Sequence, residues 1–352
     1  MSPMLRSVKE AGLKALETRA APWNILASDW FTNAEILRSL AAGLFQTDSN
    51  NVALIPSASY GLAAAAKNLS PGQGKEIVIL EEQFPSNYYV WENLAARQNL
   101  KLIIVQKNND KSLTENILDK INYNTGIVAI PNCHWIDGHW IDLEQISDAV
   151  KAVGAHLVLD LSQSLGVLPI DMERIQPDFA ISVGYKWQLG PYSLGYMYVS
   201  KKWQELGEPL EYPWITKKGS EDFSRLTNYV TAYREGARKF DMGEFAQFNL
   251  LPMAIAALQQ LTEWKTEYIQ TEIIKLTTPI LDYKKKLNGS DKSPNVGHIV
   301  SIPLLELNVD DLKKRLKSNN VIISFRGSSI RVSPHLYNSP EDIDRLLSCL
   351  NG

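Results

Sequence analysis

The sequence predicts an α/β protein: a mostly parallel, seven-stranded sheet between helices, followed by a smaller α+β unit. Three observations predict it. Between residues 50 and 200, seven short runs of nearly unbroken Val, Ile and Leu recur, as in strands buried on both faces rather than on one. Stretches of helical periodicity separate several of them, the alternation that layers helices over a parallel sheet. After Pro252 the pattern changes to long helices with a few short strands.

The elements follow in order. An amphipathic opening over residues 4–17 is a helix expected to pack on the smaller unit. The strands are 52–55, 77–80, 102–105, 127–130, 157–160, 179–183 and 195–199. The intervening helices include 87–98, 113–121 and 143–153. Residues 208–231 have few periodic apolar positions and several aromatics, and read as an active-site or interface loop. Residues 253–275 read as one long, bent helix and 277–287 as another, before a polar loop at 288–295. The closing elements are a strand at 298–303, a helix at 310–318, short strands at 321–324 and 330–333, and a helix at 340–350. This gives a large domain over 21–252 and a small domain over 253–352, with 1–20 against the latter.

Composition narrows the class. The chain has 352 residues, 45% hydrophobic and 21% charged, with net charge −3. That length supports a large core. The balance gives no electrostatic footprint for nucleic acid or an anionic membrane. Two cysteines, Cys133 and Cys349, are too few for a disulfide framework. With no apolar signal core after Met1 and no run of transmembrane length, the expected compartment is the cytoplasm.

The chemistry concentrates at strand ends, where ligands gather in open α/β sheets. Lys186 follows the run Phe179-Ala180-Ile181-Ser182-Val183. Asp160, 26 residues upstream, ends the run Leu157-Val158-Leu159. A lysine past one strand and an aspartate at the tip of another suit pyridoxal phosphate. The amine forms a Schiff base with its aldehyde, and the carboxylate keeps the pyridine nitrogen protonated. The turn Pro56-Ser57-Ala58-Ser59 opens an alanine-rich helix, a natural phosphate cradle. Phe84 follows the next strand and can lie flat on a ring, and Tyr185 can offer its hydroxyl to the phosphate. On the loop Pro131-Asn132-Cys133-His134-Trp135-Ile136-Asp137-Gly138, His134 and Trp135 are pocket candidates.

Taken in order, these pieces resemble the class V aminotransferase family of fold-type I pyridoxal-phosphate enzymes, which includes cysteine desulfurases, kynureninase and isopenicillin-epimerase-like proteins. The resemblance covers nearly the whole chain. Its most specific parts are Asp160-Leu161-Ser162-Gln163 and Gly184-Tyr185-Lys186 with Gly190-Pro191 behind. It implies that Ala58 and Ser59 bind phosphate and Phe84 stacks on the ring. Asp160 would pair with the pyridine nitrogen, Gln163 would bond the phenolic oxygen, and Lys186 would carry the cofactor. Near the C-terminus, Ser324-Phe325-Arg326-Gly327-Ser328-Ser329-Ile330-Arg331 resembles the small-domain signature. There Arg331 matches the arginine that grips a substrate carboxylate with two prongs; Arg326 and His335 are lesser candidates. The tyrosine before Lys186, where many members have histidine, is closer to the kynureninase-like branch. The stretch Arg238-Lys239-Phe240-Asp241-Met242-Gly243-Glu244 resembles a segment reaching the partner subunit's phosphate, with Glu244 where desulfurases show threonine. The resemblance therefore implies a homodimer acting on a small amino-acid substrate.

Two departures bear on the reaction. A desulfurase needs a mobile cysteine thiolate ahead of the carboxylate-binding arginine, and the stretch from Arg326 to Arg331 contains none. The opening Ser2-Pro3 matches only the end of the family's extended first segment, so the start is trimmed or a pocket-edge contribution is missing. The remaining expectations are an aminotransferase, a carbon–sulfur β-lyase or kynureninase-like hydrolase, and, from another class, a non-catalytic cofactor-binding protein.

Overall fold

A computed structural model describes residues 2–72, 75–108, 110–288, 292–305 and 308–351. The predicted loop 288–295 thus lies partly outside the described residues, at 289–291. The chain opens with α1 (Arg6–Arg19) and α2 (Asp29–Phe45). It then runs β1 (Val52–Ile55), α3 (Ala58–Asn68), β2 (Glu76–Leu80), α4 (Ser86–Gln98), β3 (Lys101–Val105), α5 (Leu113–Leu118), β4 (Thr125–Pro131), α6 (Leu143–Ala152), β5 (His156–Asp160), α7 (Met172–Ile175), β6 (Phe179–Val183), β7 (Gly195–Val199) and α8 (Lys201–Leu206). After an irregular stretch come α9 (Leu250–Trp264), α10 (Thr266–Asn288), β8 (Val300–Pro303), α11 (Val309–Ser318), β9 (Ser324–Arg326), β10 (Ser329–Val332) and α12 (Pro340–Asn351).

The large sheet has the order β1-β7-β6-β5-β4-β2-β3. Only β7 opposes the rest, pairing antiparallel with both β1 and β6. β1 and β2–β6 therefore point the same way and end on one edge. Why the strands read as unbroken apolar runs is visible in the packing. Val52, Leu54, Val78, Leu80, Val128, Ile130, Leu157 and Leu159 face one hydrophobic cluster. Ala53, Ile55, Ile77, Ile79, Ile127, Ala129, Val158 and Ile181 face another. Side chains alternate between faces, and both faces are buried. Each such aliphatic side chain contributes roughly 1.5–3 kcal/mol on burial. On the second face α3 packs so closely that a Cβ on Gly61 would stand 2.8 Å from Ile181 Cγ1.

A second sheet, β8-β10-β9, is antiparallel and has its own cluster, including Ile280, Val300, Ile302, Leu312, Ile330 and Leu346. The clusters do not change at residue 252. Leu251, Ala254, Leu258 and Leu261 of α9, with Ile269 and Ile273 of α10, join the large sheet's cluster, and α1 packs against α9.

Two expectations change. The helix expected over 253–275 breaks at Lys265, whose φ of 65° and ψ of 137° lie outside the helical region. The next helix then continues through Pro279 rather than starting near it. Thr277 and Thr278 hydroxyls occupy the carbonyls of Ile273 and Ile274 in the turn before that proline. The strand expected at 321–324 sits at Ser324–Arg326 instead. Gly327, at φ 53°, heads a two-residue turn that pairs Arg326 with Ser329, and Ile322 is left 100% exposed.

The stretch over 208–231 is irregular, with short 3-10 turns at Trp214–Thr216 and Phe223–Arg225. Trp214 and Phe223 pack on Trp30 of α2, at centroid distances of 5.9 and 5.8 Å. Among the described residues no helix is long and apolar enough to cross a membrane.

Candidate active site

The candidate site lies at the carboxyl edge of the large sheet. Asp160 is the last residue of β5, in register with Pro131 on β4 and Ile181 on β6. Lys186 follows three residues after β6, in the loop that turns the chain back into β7. Glycine makes that loop possible: Gly184 N–H donates to Leu194 O at 2.8 Å, and a Cβ on Gly184 would come within 2.9 Å of the same oxygen. Gln188, fully buried, donates to Ser182 Oγ at 2.9 Å and to the Leu165 carbonyl, tying the loop to the sheet.

The Lys186 ammonium lies 5.1 Å from the centroid of the Phe84 ring. Burial, opposed by the negative charge of Asp160 and reinforced by the positive charge of Arg331, holds its proton affinity below that of an ordinary lysine. Asp160 is 7% exposed, and its Oδ1 accepts Ser162 N–H at 3.0 Å. Its other oxygen makes no hydrogen bond among the described residues. The Gln163 side-chain carbonyl accepts Trp187 Nε1–H at 3.0 Å, which leaves the amide N–H2 as its donating end.

Phe84 meets Trp135 edge-on at 5.5 Å. Trp135 is fixed at both ends: its indole N–H donates to Glu82 O at 2.7 Å, and its carbonyl accepts Arg331 Nη1 at 2.9 Å. Arg326 lies over the same indole, 5.7 Å from its centroid. Arg331, on β10, thus reaches back from the small sheet with its buried Nε unpartnered; burial, and then Arg326, lowers its proton affinity. A cavity of ≈ 620 Å³ opens here, lined among others by Lys186, Gln163, Trp187, Arg331, His335 and Tyr337. Ser2 and Pro3 also line it, and Ser2 Oγ donates to Lys186 O at 2.8 Å.

The remaining sequence candidates stand differently. Ser57 caps α3 by accepting Tyr60 N–H at 3.1 Å, which leaves the first helical N–H groups, of Ala58 and Ser59, to a ligand or water. Ser59 Oγ donates to Ser86 Oγ at 3.0 Å, so the starts of α3 and α4 adjoin. Tyr185 packs against Tyr192, the ring centroids 4.6 Å apart and the planes tilted by 47°. His134 is fully buried. Its Nδ1 lies 3.2 Å from Asp137 and 3.3 Å from Lys107, and its Nε2 is unpartnered. His335 is 1% exposed and lies behind Trp187, the ring centroids 5.8 Å apart.

Sequence reasoning missed two residues. Trp187 was visible only as a neighbour of Lys186, yet it holds Gln163. His298, read as the start of a strand, is fully buried with Nε2 2.6 Å from Gln163 O. Its partner is 135 residues away, a separation that leaves no local signal.

Among the described residues, a half-buried lysine without an acidic partner in contact, a carboxylate with a free oxygen, an amide donor, an aromatic face and a guanidinium with an unpartnered N–H form one donor set. That set, with the open helix start, fits pyridoxal phosphate and an amino-acid substrate.

The fold is that of fold-type I pyridoxal-phosphate enzymes. The chain superposes with TM-score 0.85 on a C-DES mutant with glycine covalently linked to the PLP cofactor, at 18% identity, covering 99% of this chain and 93% of that one. The apo cysteine desulfurase from Thermococcus onnurineus gives TM-score 0.84 at 19% identity, covering 99% and 91%. In sequence, the family model for aminotransferase class-V matches residues 24–346, and the chain belongs to that family. It is 26% identical over 311 residues to the uncharacterized aminotransferase YcbU of Bacillus subtilis, 88% of this chain and 80% of that protein. It is 23% identical over 331 residues to a probable cysteine desulfurase of Pyrococcus abyssi, 89% and 81%. The chain is a PLP-dependent enzyme.

Proposed function

We propose that this enzyme is an aminotransferase acting on a small α-amino acid, with Lys186 as both the cofactor-bearing residue and the base. The observation that carries this reading is the half-buried Lys186, near the ring of Phe84 and under the charges of Asp160 and Arg331. When bound, pyridoxal phosphate supplies an electron sink for the pair left on the substrate's α-carbon by proton loss. Asp160 holds the proton on the pyridine nitrogen through its free carboxylate oxygen. Gln163 donates its amide N–H to the phenolic oxygen. Phe84 lies against the ring, and the N–H groups of Ala58 and Ser59, with the Tyr185 hydroxyl, take the phosphate.

Arg331 receives the substrate carboxylate on its free N–H edge while the Trp135 carbonyl steadies the other arm. Trp135 stands beside Arg331 where this carboxylate would arrive, whereas His134, fully buried, offers it no exposed atom. Lys186 then moves the proton from the α-carbon. Burial lowers the ammonium's stability, so more of the amine is neutral at working pH than in water.

Several relatives are named probable cysteine desulfurases, which supports carbon–sulfur β-elimination as a second reading. A persulfide carrier fits poorly. Cys133 is fully buried with its thiol pushed up, chiefly by burial, and Cys349 is buried in α12. The family resemblance also supports a symmetric homodimer, with the segment from Phe240 to Gly243 reaching the neighbouring site.

The test is a panel of amino acids given to the PLP-loaded enzyme, with and without a keto-acid acceptor. Keto-acid product that requires the acceptor supports transamination. Acceptor-independent pyruvate with sulfide would replace it by β-elimination.

A further inference from the structure

We infer that His298 is a positioning residue for Gln163 and, through it, for the cofactor's phenolic oxygen. The inference rests on the reading of Gln163 given above. Gln163 is held at both ends. Its side-chain carbonyl takes the Trp187 indole N–H at 3.0 Å, and its backbone carbonyl takes His298 Nε2 at 2.6 Å. His298 also meets Trp187 edge-on, with centroids 4.6 Å apart at 83°. One fully buried imidazole therefore touches both Gln163 and the residue that orients its amide.

The bond has a fixed polarity. A carbonyl oxygen only accepts, so Nε2 carries the proton. Burial lowers His298 to about 4, although its bond to Gln163 opposes that, so the ring is neutral at pH 7. Cys133 Sγ, at 3.6 Å, is the other donor to the Gln163 carbonyl and a weak one.

His298 comes from outside the sheet and is held firmly. Its segment is stitched to the loop after β4: Val296 N–H donates to Gly138 O at 2.9 Å and Trp140 N–H to Pro294 O at 2.8 Å. Gly138, at φ 72°, permits the approach, since a Cβ there would stand 2.0 Å from Ile299 O. The C-terminal unit thus reaches under the sheet edge and braces the turn that carries Asp160 and Gln163. Without this donor the Gln163 carbonyl would be buried with only a thiol to satisfy it, and the peptide would rotate to find another partner.

The test reads the pH midpoint of the visible absorbance of the PLP-loaded enzyme, which responds to donors on the phenolic oxygen. Losing such a donor raises the proton affinity of the lysine-linked cofactor, so the midpoint moves upward. A neutral hydrogen bond corresponds to about half to one pH unit. Gln163→Leu should show that shift. His298→Phe, which keeps a ring against Trp187 but cannot donate, should shift the midpoint the same way, while His298→Gln, which can donate to the same carbonyl, should return it to within about 0.2 units of wild type on that scale. His298→Asn, too short to reach, serves in place of the phenylalanine variant if that one does not fold.

A shift in Gln163→Leu with none in the non-donating His298 variants would overturn the inference. So would an equal shift in His298→Gln. An unmoved midpoint in Gln163→Leu would instead overturn the reading of Gln163 itself, and the inference with it.

Discussion

At Lys186, burial lowers the amine's proton affinity and Asp160 raises it, while Arg331 lowers it further and Cys133 raises it. Asp160 is the easiest of these to isolate. Asp160→Ala should keep some cofactor but lose orders of magnitude in rate, because the pyridine nitrogen loses its proton-holding partner. A rate within about threefold of wild type, roughly 0.7 kcal/mol of barrier, would contradict the role. Arg331→Lys keeps the charge but not the two-pronged geometry. Its kcat/KM should fall about 10- to 100-fold, the worth of a charge-assisted bond, with the cofactor spectrum intact. Equal efficiency on substrates with and without an α-carboxylate would assign Arg331 elsewhere. The strand-end places of Asp160 and Lys186 were legible from residue type and the apolar runs before them, while Arg331 came from the family resemblance. The contacts of His298 and Trp187 with Gln163 were not legible, because only folding creates them.

At the scale of elements, the seven strands of the large sheet lie within a few residues of their predicted positions. Burial on both faces imposes continuous Val/Ile/Leu runs, which a sequence displays directly. The break at Lys265 was hidden because Trp264-Lys265-Thr266 contains no glycine or proline. The shifted strand at Ser324–Arg326 followed from the turn at Gly327, which outweighed the apolar run before it.

A charged belt also ties elements together out of sight of local pattern. Arg38 of α2, fully buried, forms a two-pronged pair with Asp241 at 3.0 and 2.7 Å, and Asp241 also accepts Leu54 N–H of β1. Glu35 meets Arg38, Arg234 and Arg238. Burial alone would raise Glu35, but the hydrogen bond from Arg238 and the three positive charges bring it to about 2, against an ordinary 4.5. Its folded value lies below its unfolded one, so its stabilisation is fully present above about pH 4.5 and is lost as pH falls through about 2. Measured by denaturant titration, the stability gap between wild type and Glu35→Gln should be constant above about pH 5 and close toward pH 2. A gap that stays constant down to pH 2 would remove Glu35 from this role.

For the whole molecule, the layered architecture was legible, while the division of its packing was not. Composition changes after Pro252, but α9 shares the large sheet's core and the second cluster begins at Ile280. Arg331 and His298 both approach the site from the C-terminal side, so the site joins residues more than a hundred positions apart. The proposed dimer, if built as the family resemblance implies, should be obligate and symmetric, with two equivalent sites. Sedimentation of the active enzyme should give only the dimer, and a fully active monomer would refute it.

The central claim is that Lys186 carries the cofactor. Borohydride reduction of the PLP-loaded enzyme, followed by peptide mass mapping, tests it most directly. The reduced cofactor should appear on Lys186 and be lost, with turnover, in Lys186→Ala. Label on another lysine, or normal turnover in that variant, would contradict it.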